Sequence, residues 1–389
     1  MKKIYIVIIA LFSINMVYAQ WQKFTGSYNG PNFCLSVSGS NIFAATNAGV
    51  YFSNNNGNSW AQVNNGLTTN NIPTVAVIGN NVFAGTYGNG LFRSTNNGAS
   101  WIPMTAGISA TYIGSFASNA TYIYTGSDVG IFRSTNGGVS WVNSSTGMDA
   151  TYVYTMLING SNIFAGTNYG IYLSSNGGSS WYDVSNGLTT YNIYTMAVCG
   201  SYIFAGNSDG GVFRSANNGA SWSAVNSGLT SLIINSLAVS GNCIFAGTGT
   251  GGVFRSTDNG NTWASVNTGL PNIAIFNFAI SGSDIYAGTS LGVWKRPLSE
   301  IVGIQEVSSS CNVAIFPNPA TEKLTLDLHQ IKDLQNTSIS IYDIHGQLIL
   351  QQATEQPQIE LNIAQFAKGI YIMKVNNNKN ILLSKFVKQ

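Results

Sequence analysis

Between residues 21 and 298 the sequence offers six carboxyl side chains, Asp128, Asp149, Asp183, Asp209, Asp258 and Asp284, with no Glu and no His. Hydrolysis of a glycosidic bond needs two carboxyls held at a fixed separation. Asp128 and Asp209 fall in related Gly-containing turns, with Asp149 in a nearby loop, but no spacing among the six marks a catalytic pair. Arg93, Arg133, Arg214 and Arg255 sit at one repeated place, in the phrase Phe-Arg-Ser, so they are expected to spread as solvated strand residues rather than converge on an anion. The four cysteines, Cys34, Cys199, Cys243 and Cys311, lie far apart without a CxxC spacing, and the histidines, His329 and His345, come late. No metal site and no cofactor are expected from that set. Cys199 with Cys243 is the first pair to examine for a disulfide; buried free thiols are the equal alternative. Phosphate-loop, nucleophile-elbow and metalloprotease signatures are missing.

The elements that carry these residues follow from a repeat. Trp21, Trp60, Trp101, Trp141, Trp181, Trp222 and Trp263 are separated by 39, 41, 40, 40, 41 and 41 residues. A second phrase keeps step with them, from Asn41-Ile42-Phe43-Ala44 through Asn162-Ile163-Phe164-Ala165-Gly166-Thr167 to Asp284-Ile285-Tyr286-Ala287-Gly288-Thr289. A period of about 40 residues fits one four-stranded propeller blade. Within residues 230–270, β-branched and aromatic runs at Ile234–Val239, Cys243–Gly247, Gly252–Ser256 and Trp263–Val266 alternate with Gly/Asn turns, which predicts four strands and no helix. The last unit, ending Gly292-Val293-Trp294-Lys295-Arg296-Pro297, lacks its Trp strand, and Trp21-Gln22-Lys23-Phe24 supplies an orphan one. The two are expected to pair and close a seven-bladed β-propeller, which removes exposed strand edges as an open solenoid does not.

The hairpin Ser256-Thr257-Asp258-Asn259-Gly260-Asn261-Thr262-Trp263 resembles the Asp box, and it recurs with Asn for Asp ahead of Trp60, Trp101, Trp141, Trp181 and Trp222. Its chemistry is structural: Asp258 or its Asn counterpart accepts backbone N–H groups inside the turn, Gly260 takes a conformation other residues resist, and the Trp buries a large surface. One carboxylate per loop at most is a poor calcium site. Asp-box propellers include sialidases, the sortilin luminal domain, photosystem II assembly factors and xyloglucan-degrading glycosidases, so the resemblance implies fold more than function. Sialidases of this kind use an arginine cluster and a Tyr–Glu pair, and residues 21–298 have no Glu. The Asp-dependent xyloglucanases use a cleft between two propellers, and one propeller is read here.

In a propeller the loops joining strands two and three, and those joining one blade to the next, share a face. That face is expected to hold Tyr87, Tyr112, Tyr152, Tyr169 and Tyr191 together with Asp128 and Asp209, and Asn70, Asn71 and Asn192 lie close in sequence. Aromatic faces with amide hydrogen-bonders suit a sugar or a protein loop equally. Packing between blades is the competing role for any single tyrosine.

The remaining boundaries come from composition. Charged residues are only 8% of the chain and formal net charge is +2; without a basic run, a nucleic-acid partner is not expected. Lys2 and Lys3, a short apolar stretch to Val17 and the small residue Ala19 read as a signal peptide over 1–19, too short for a membrane span. The propeller is expected over 20–298 and a Ser-containing linker over 299–312, with no transmembrane segment. Over 313–389, short alternating strands such as Leu324–Leu328 and Ser338–Tyr342 predict a small Ig-like β-sandwich, making the whole chain all-β. Here Phe316-Pro317-Asn318-Pro319, Tyr342-Asp343-Ile344-His345-Gly346-Gln347, Lys368-Gly369-Ile370-Tyr371 and Lys385-Phe386-Val387-Lys388 resemble the motifs of the Bacteroidetes type IX sorting domain. That resemblance implies export through the type IX machinery, removal of residues 313–389 by a surface sortase, and a mature propeller that is secreted or held on the outer cell surface. The leading functional expectation is a non-catalytic binding module for glycan or extracellular protein. A polysaccharide hydrolase and an assembly or scaffold propeller are the alternatives.

Overall fold

The structure, a computed structural model, describes residues 20–301 except 25, 27 and 151, and residues 314–389 except 330–333, 336, 344–346, 378 and 379. The expected signal peptide, most of the expected linker, Cys311 and His345 lie outside the described residues. Contacts divide the chain into two compact units at residues 302/303.

The first unit is a ring of seven four-stranded antiparallel sheets. The inner strands, in chain order, are Asn32–Ser38, Thr74–Ile78, Ile113–Ser118, Val153–Asn159, Ile193–Cys199, Ile234–Ser240 and Ile275–Ser281, and they head blades one to seven. In blade six the following strands are Cys243–Thr248, Val253–Ser256 and Ala264–Ser265, close to the runs read from the sequence. Blade seven takes its outer strand from the N-terminus: Gln22–Lys23 pairs antiparallel with Lys295 and Trp294. The propeller unit also runs past the expected boundary at 298, through a 3-10 turn at Leu298–Glu300 to Ile301, which is 2% exposed.

The repeated second-strand phrase has a packing reason. Ile113, Ile193, Ile234 and Ile275 open the inner strands fully buried, and each such side chain removed from water is worth about 1.5–3 kcal/mol. They lie against Gly85, Gly166, Gly206 and Gly247 of the preceding blade, where an added Cβ would collide with them. The glycine of the Phe-Ala-Gly phrase thus lets successive blades approach.

The hairpin side chains bond within their own turns. In blade two Gly98 N donates to Ser94 Oγ at 2.8 Å, and Ser100 N donates to Asn96 Oδ1 at 2.9 Å. In blade six Asp258 accepts from Thr262 N at 2.9 Å and from Thr262 Oγ1 at 2.7 Å. Burial pushes the Asp258 carboxyl up, but the bonds from Thr262 and Ser256 outweigh it and hold it below its ordinary value. A depressed carboxyl contributes stability that is complete above its unfolded pKa of about 3.9 and is lost as pH falls through the lower folded value. Asp258→Asn, which makes this hairpin like its five siblings, is therefore expected to flatten the acid side of the stability profile. Melting temperatures between about pH 5 and about pH 2 read this directly, and an unchanged slope would show that the carboxylate adds nothing.

The second unit is built of two sheets. One contains Ala314–Phe316, Lys323–Asp327 and Gln358–Asn362; the other contains Leu348–Thr354, Thr337–Tyr342, Gly369–Asn377 and Asn380–Lys388. Leu324, Leu326, Ile339, Ile341, Met373 and Phe386 form its buried core. The distant motifs of this unit meet. Asn318 Nδ2 donates to Lys385 O at 3.1 Å and Val387 N donates to Asn318 Oδ1 at 3.0 Å, so Pro317-Asn318-Pro319 is clamped on the final strand. Gly369 is in register with Lys388, and Tyr371 with Phe386.

Candidate ligand-binding face

The inner strands begin with an irregularity that sets up the face. Pairing passes from Asn32 to Cys34, Ile113 to Ser115, Val153 to Thr155, Ile193 to Thr195, Ile234 to Ser236 and Ile275 to Asn277, each time skipping one residue. A bulged residue leaves the pleat and re-aims its side chain. The skipped residues are Phe33, Gly114, Tyr154, Tyr194, Asn235 and Phe276. In blade two Pro73 holds the place, immediately before the strand, where a residue without an N–H donor can sit.

Five of these seven positions, from five different blades, line one open depression of about 350 Å³, which places it at the axial mouth. Phe33, Pro73, Tyr194, Asn235 and Phe276 are joined there by Asn71 and Tyr112 from the blade-to-blade loops. Tyr112 fills the space that Gly114 leaves in blade three; a Cβ on Gly114 would stand 2.6 Å from Cε1 of that ring.

A ladder of tyrosines runs into the mouth. Ring centroids step from Tyr87 to Tyr112 at 5.6 Å, to Tyr152 at 5.0 Å, to Tyr154 at 4.9 Å and to Tyr194 at 5.1 Å. On the far side Phe33 and Phe276 lie 6.0 Å apart. Burial first, then neighbouring tyrosines, push the Tyr152 hydroxyl well above the ordinary phenol range, and burial pushes Tyr112 up as well. Both rings therefore stay neutral donors at any physiological pH.

Of the residues expected on this face, Tyr87, Tyr112 and Tyr152 join the ladder, while Tyr169 and Tyr191 stand exposed at 61% and 52% outside it. Asp128 is used by the adjoining blade-to-blade loop: it accepts from the Thr111 hydroxyl at 3.2 Å and from Tyr112 N at 3.4 Å. One blade on, Asn168 accepts from Tyr152 N at 3.1 Å in the same arrangement, so the place requires an acceptor and not a carboxyl. Asp209 is exposed and bonded only locally, by Ser208 Oγ at 3.1 Å. Phe33, Pro73, Tyr154, Tyr194, Asn235 and Phe276 escaped the sequence reading. The available signal was variation between repeats: the preceding position is Ile or Val in six blades, whereas this one changes in nearly every copy.

The arginines serve the opposite face and bind successive blades together. Arg93 Nη1 donates to Gly137 O at 2.9 Å, Arg133 Nη1 to Gly177 O at 2.5 Å and Arg214 Nη1 to Asn259 O at 2.7 Å, while Arg255 reaches Ile301 O. They are clasps on the next hairpin or, for Arg255, on Ile301 beyond the last blade strand, not the solvated residues expected from the sequence. Cys34 and Cys199 are free thiols, so the Cys199–Cys243 pair examined for a disulfide is not bridged.

Comparison with known proteins agrees with this division. Residues 314–389 match the family described as the secretion system C-terminal sorting domain. An endo-acting ulvan lyase of Formosa agariphila is 32% identical over 92 residues, which is 22% of this chain and 17% of that enzyme. Among solved structures, PorZ, a bacterial surface component of the type-IX secretion system of Porphyromonas gingivalis, superposes with a TM-score of 0.60 at 18% identity, covering 94% of this chain and 60% of PorZ. YCF48 bound to D1 peptide gives a TM-score of 0.57 at 16% identity over 72% of this chain and 97% of that one. An ancestral GH74 enzyme gives 0.58 at 18% identity over 94% of this chain and 63% of that one. At these identities the structural likeness bears on fold alone. No helix among the described residues is long and apolar enough to cross a membrane. The chain is thus an all-β propeller followed by a type IX sorting domain, and that domain marks it for export to the cell surface or for secretion.

Proposed function

We propose that the exported propeller is a non-catalytic binding module whose ligand, a glycan or an extracellular protein, seats on the tyrosine-rich face. The observation that carries this reading is the tyrosine ladder entering a mouth lined by rings and amides. Such a surface offers stacking area and hydrogen bonds with little conformational freedom to lose. The hairpins, read as Asp boxes, supply a rigid frame for it, and the sorting domain supplies delivery, with the type IX machinery and a sortase as its partners.

Binding of the chain over residues 20–389 to a broad glycan array and to an extracellular protein panel tests the reading. A ligand is expected whose binding falls when Tyr87 and Tyr112 are replaced by Ala together. A folded chain that binds nothing in either set would overturn it. The hydrolase alternative is tested on the same samples: Asp128→Asn is expected to change nothing, because Asn168 already does the same work. Reducing ends released by the wild type and lost in that variant would make the protein an enzyme.

A further inference from the structure

The electrostatics of the face narrow the ligand. The loops that build it, residues 63–73, 104–112, 144–152, 184–192, 225–233 and 266–274 between blades, and 47–48, 86–90, 128–129, 168–169, 208–211, 249–252 and 290–291 between second and third strands, contain no Lys, Arg or His. Their charged residues are Asp128, Asp149 and Asp209. An anionic group entering the mouth would shed its water and meet no cation, and burying an unpaired charge is strongly unfavourable. Uronate, sulfate and phosphate ligands are disfavoured by the same argument.

What the mouth does provide is matched to an uncharged molecule with one apolar face and a hydroxylated edge. Phe33, Tyr112, Tyr194 and Phe276 present rings, and Asn71 and Asn235 present amides, within a depression of about 350 Å³. This is within the size range of small-molecule sites, about 300–1,000 Å³. Asn235 Nδ2 already donates to Ile275 O at 3.0 Å, which fixes the side chain and leaves its amide oxygen outside that bond. An amide carbonyl of this kind accepts a hydroxyl hydrogen, and a tyrosyl hydroxyl can donate or accept.

Resting on the binding reading of this face, we infer that the axial mouth, built by bulged residues Phe33, Tyr194, Asn235 and Phe276, holds one uncharged pyranose unit of a neutral polysaccharide. The C–H face of the sugar lies on the rings, and its hydroxyls meet Asn71, Asn235 and Tyr112. Tyr87, Tyr169 and Tyr191, on loops between blades or between second and third strands, have exposed rings that offer stacking positions for neighbouring units of the same polysaccharide.

The test is native affinity electrophoresis of residues 20–389 in gels containing a neutral β-glucan, a galactomannan or xyloglucan, against gels containing alginate or a sulfated galactan. Retardation is expected in at least one neutral gel and in neither anionic gel. Tyr194→Ala and Asn235→Ala are each expected to weaken it about tenfold, the worth of one stacking or hydrogen-bonding partner. Asp258→Asn, in a hairpin away from the face, is expected to leave it unchanged. Because Tyr194→Ala also removes inner-strand packing, Asn235→Ala with an unaltered melting temperature carries the decision. Retardation in the anionic gels alone, neutral retardation that survives both substitutions, or capture only of a protein ligand would overturn the sugar assignment while the binding reading of the face stood. Failure of every glycan and every protein would remove both.

Discussion

Replacing Trp21 by alanine is expected to cost about 3–5 kcal/mol of unfolding free energy, the range for truncating a buried tryptophan. Trp21 is 2% exposed and packs with Phe245, Leu270, Ile273 and Ile285. Its Nε1 donates to Val266 O at 2.8 Å and its backbone N to Thr268 O at 2.8 Å. It is also the tryptophan of the blade assembled from both ends of the propeller unit, so its contacts help hold Gln22–Lys23 on Trp294 and Lys295. Trp60→Ala is the control. Trp60 occupies the same repeat position but is only partly buried, and its Nε1 bonds within its own hairpin, to Gly57 O at 2.9 Å. Urea unfolding of the two variants should show a clearly lower midpoint for Trp21→Ala. Equal midpoints would mean that ring closure contributes no more than one ordinary hairpin.

The fold was legible because its determinants are local. Each strand is a short β-branched or aromatic run, each turn has Gly or Asn, and the copies repeat within a residue or so of one another. Closure was legible as well, since an orphan Trp strand at one end answers a missing one at the other. The site was only half legible. Tyr112 and Tyr152 could be placed on the face by counting loops, but Tyr154, Tyr194, Asn235 and Phe276 sit inside strands, where alternation alone gives no direction. Their direction comes from the bulge, and a bulge is a property of register between two strands rather than of either strand's composition. The arginines were misread for a similar reason: their partners are carbonyls about 44 residues away in the next hairpin, an inter-blade contact that carries no residue-type signal.

The same inter-blade geometry makes a repeated glycine position unusually intolerant, with Gly147 as the example. Gly147 has φ +87°, and a Cβ there would overlap the carbonyl oxygen of Trp181 in the next blade. The approach is held from both sides, because Trp181 N donates to Thr146 O at 2.9 Å and Trp181 Nε1 to Ser144 O at 2.6 Å. Gly107, Gly187 and Gly228 repeat the arrangement against Trp141, Trp222 and Trp263. Gly160, in the turn between the first two strands of blade four, has φ +61° and nothing within 4 Å of an added Cβ. Gly160→Ala therefore measures backbone strain alone, about 1–2 kcal/mol. Gly147→Ala adds a collision with backbone that cannot rotate away, and overpacking of that kind costs a further 1–3 kcal/mol or so. The predicted ordering, read by urea unfolding, is Gly147→Ala well below Gly160→Ala and Gly160→Ala modestly below wild type. If the two alanine variants unfolded together, the contact between glycine and tryptophan would be slack enough to absorb a methyl group. Blade-to-blade spacing would then be set by the isoleucines at the inner strands rather than by this outer clasp.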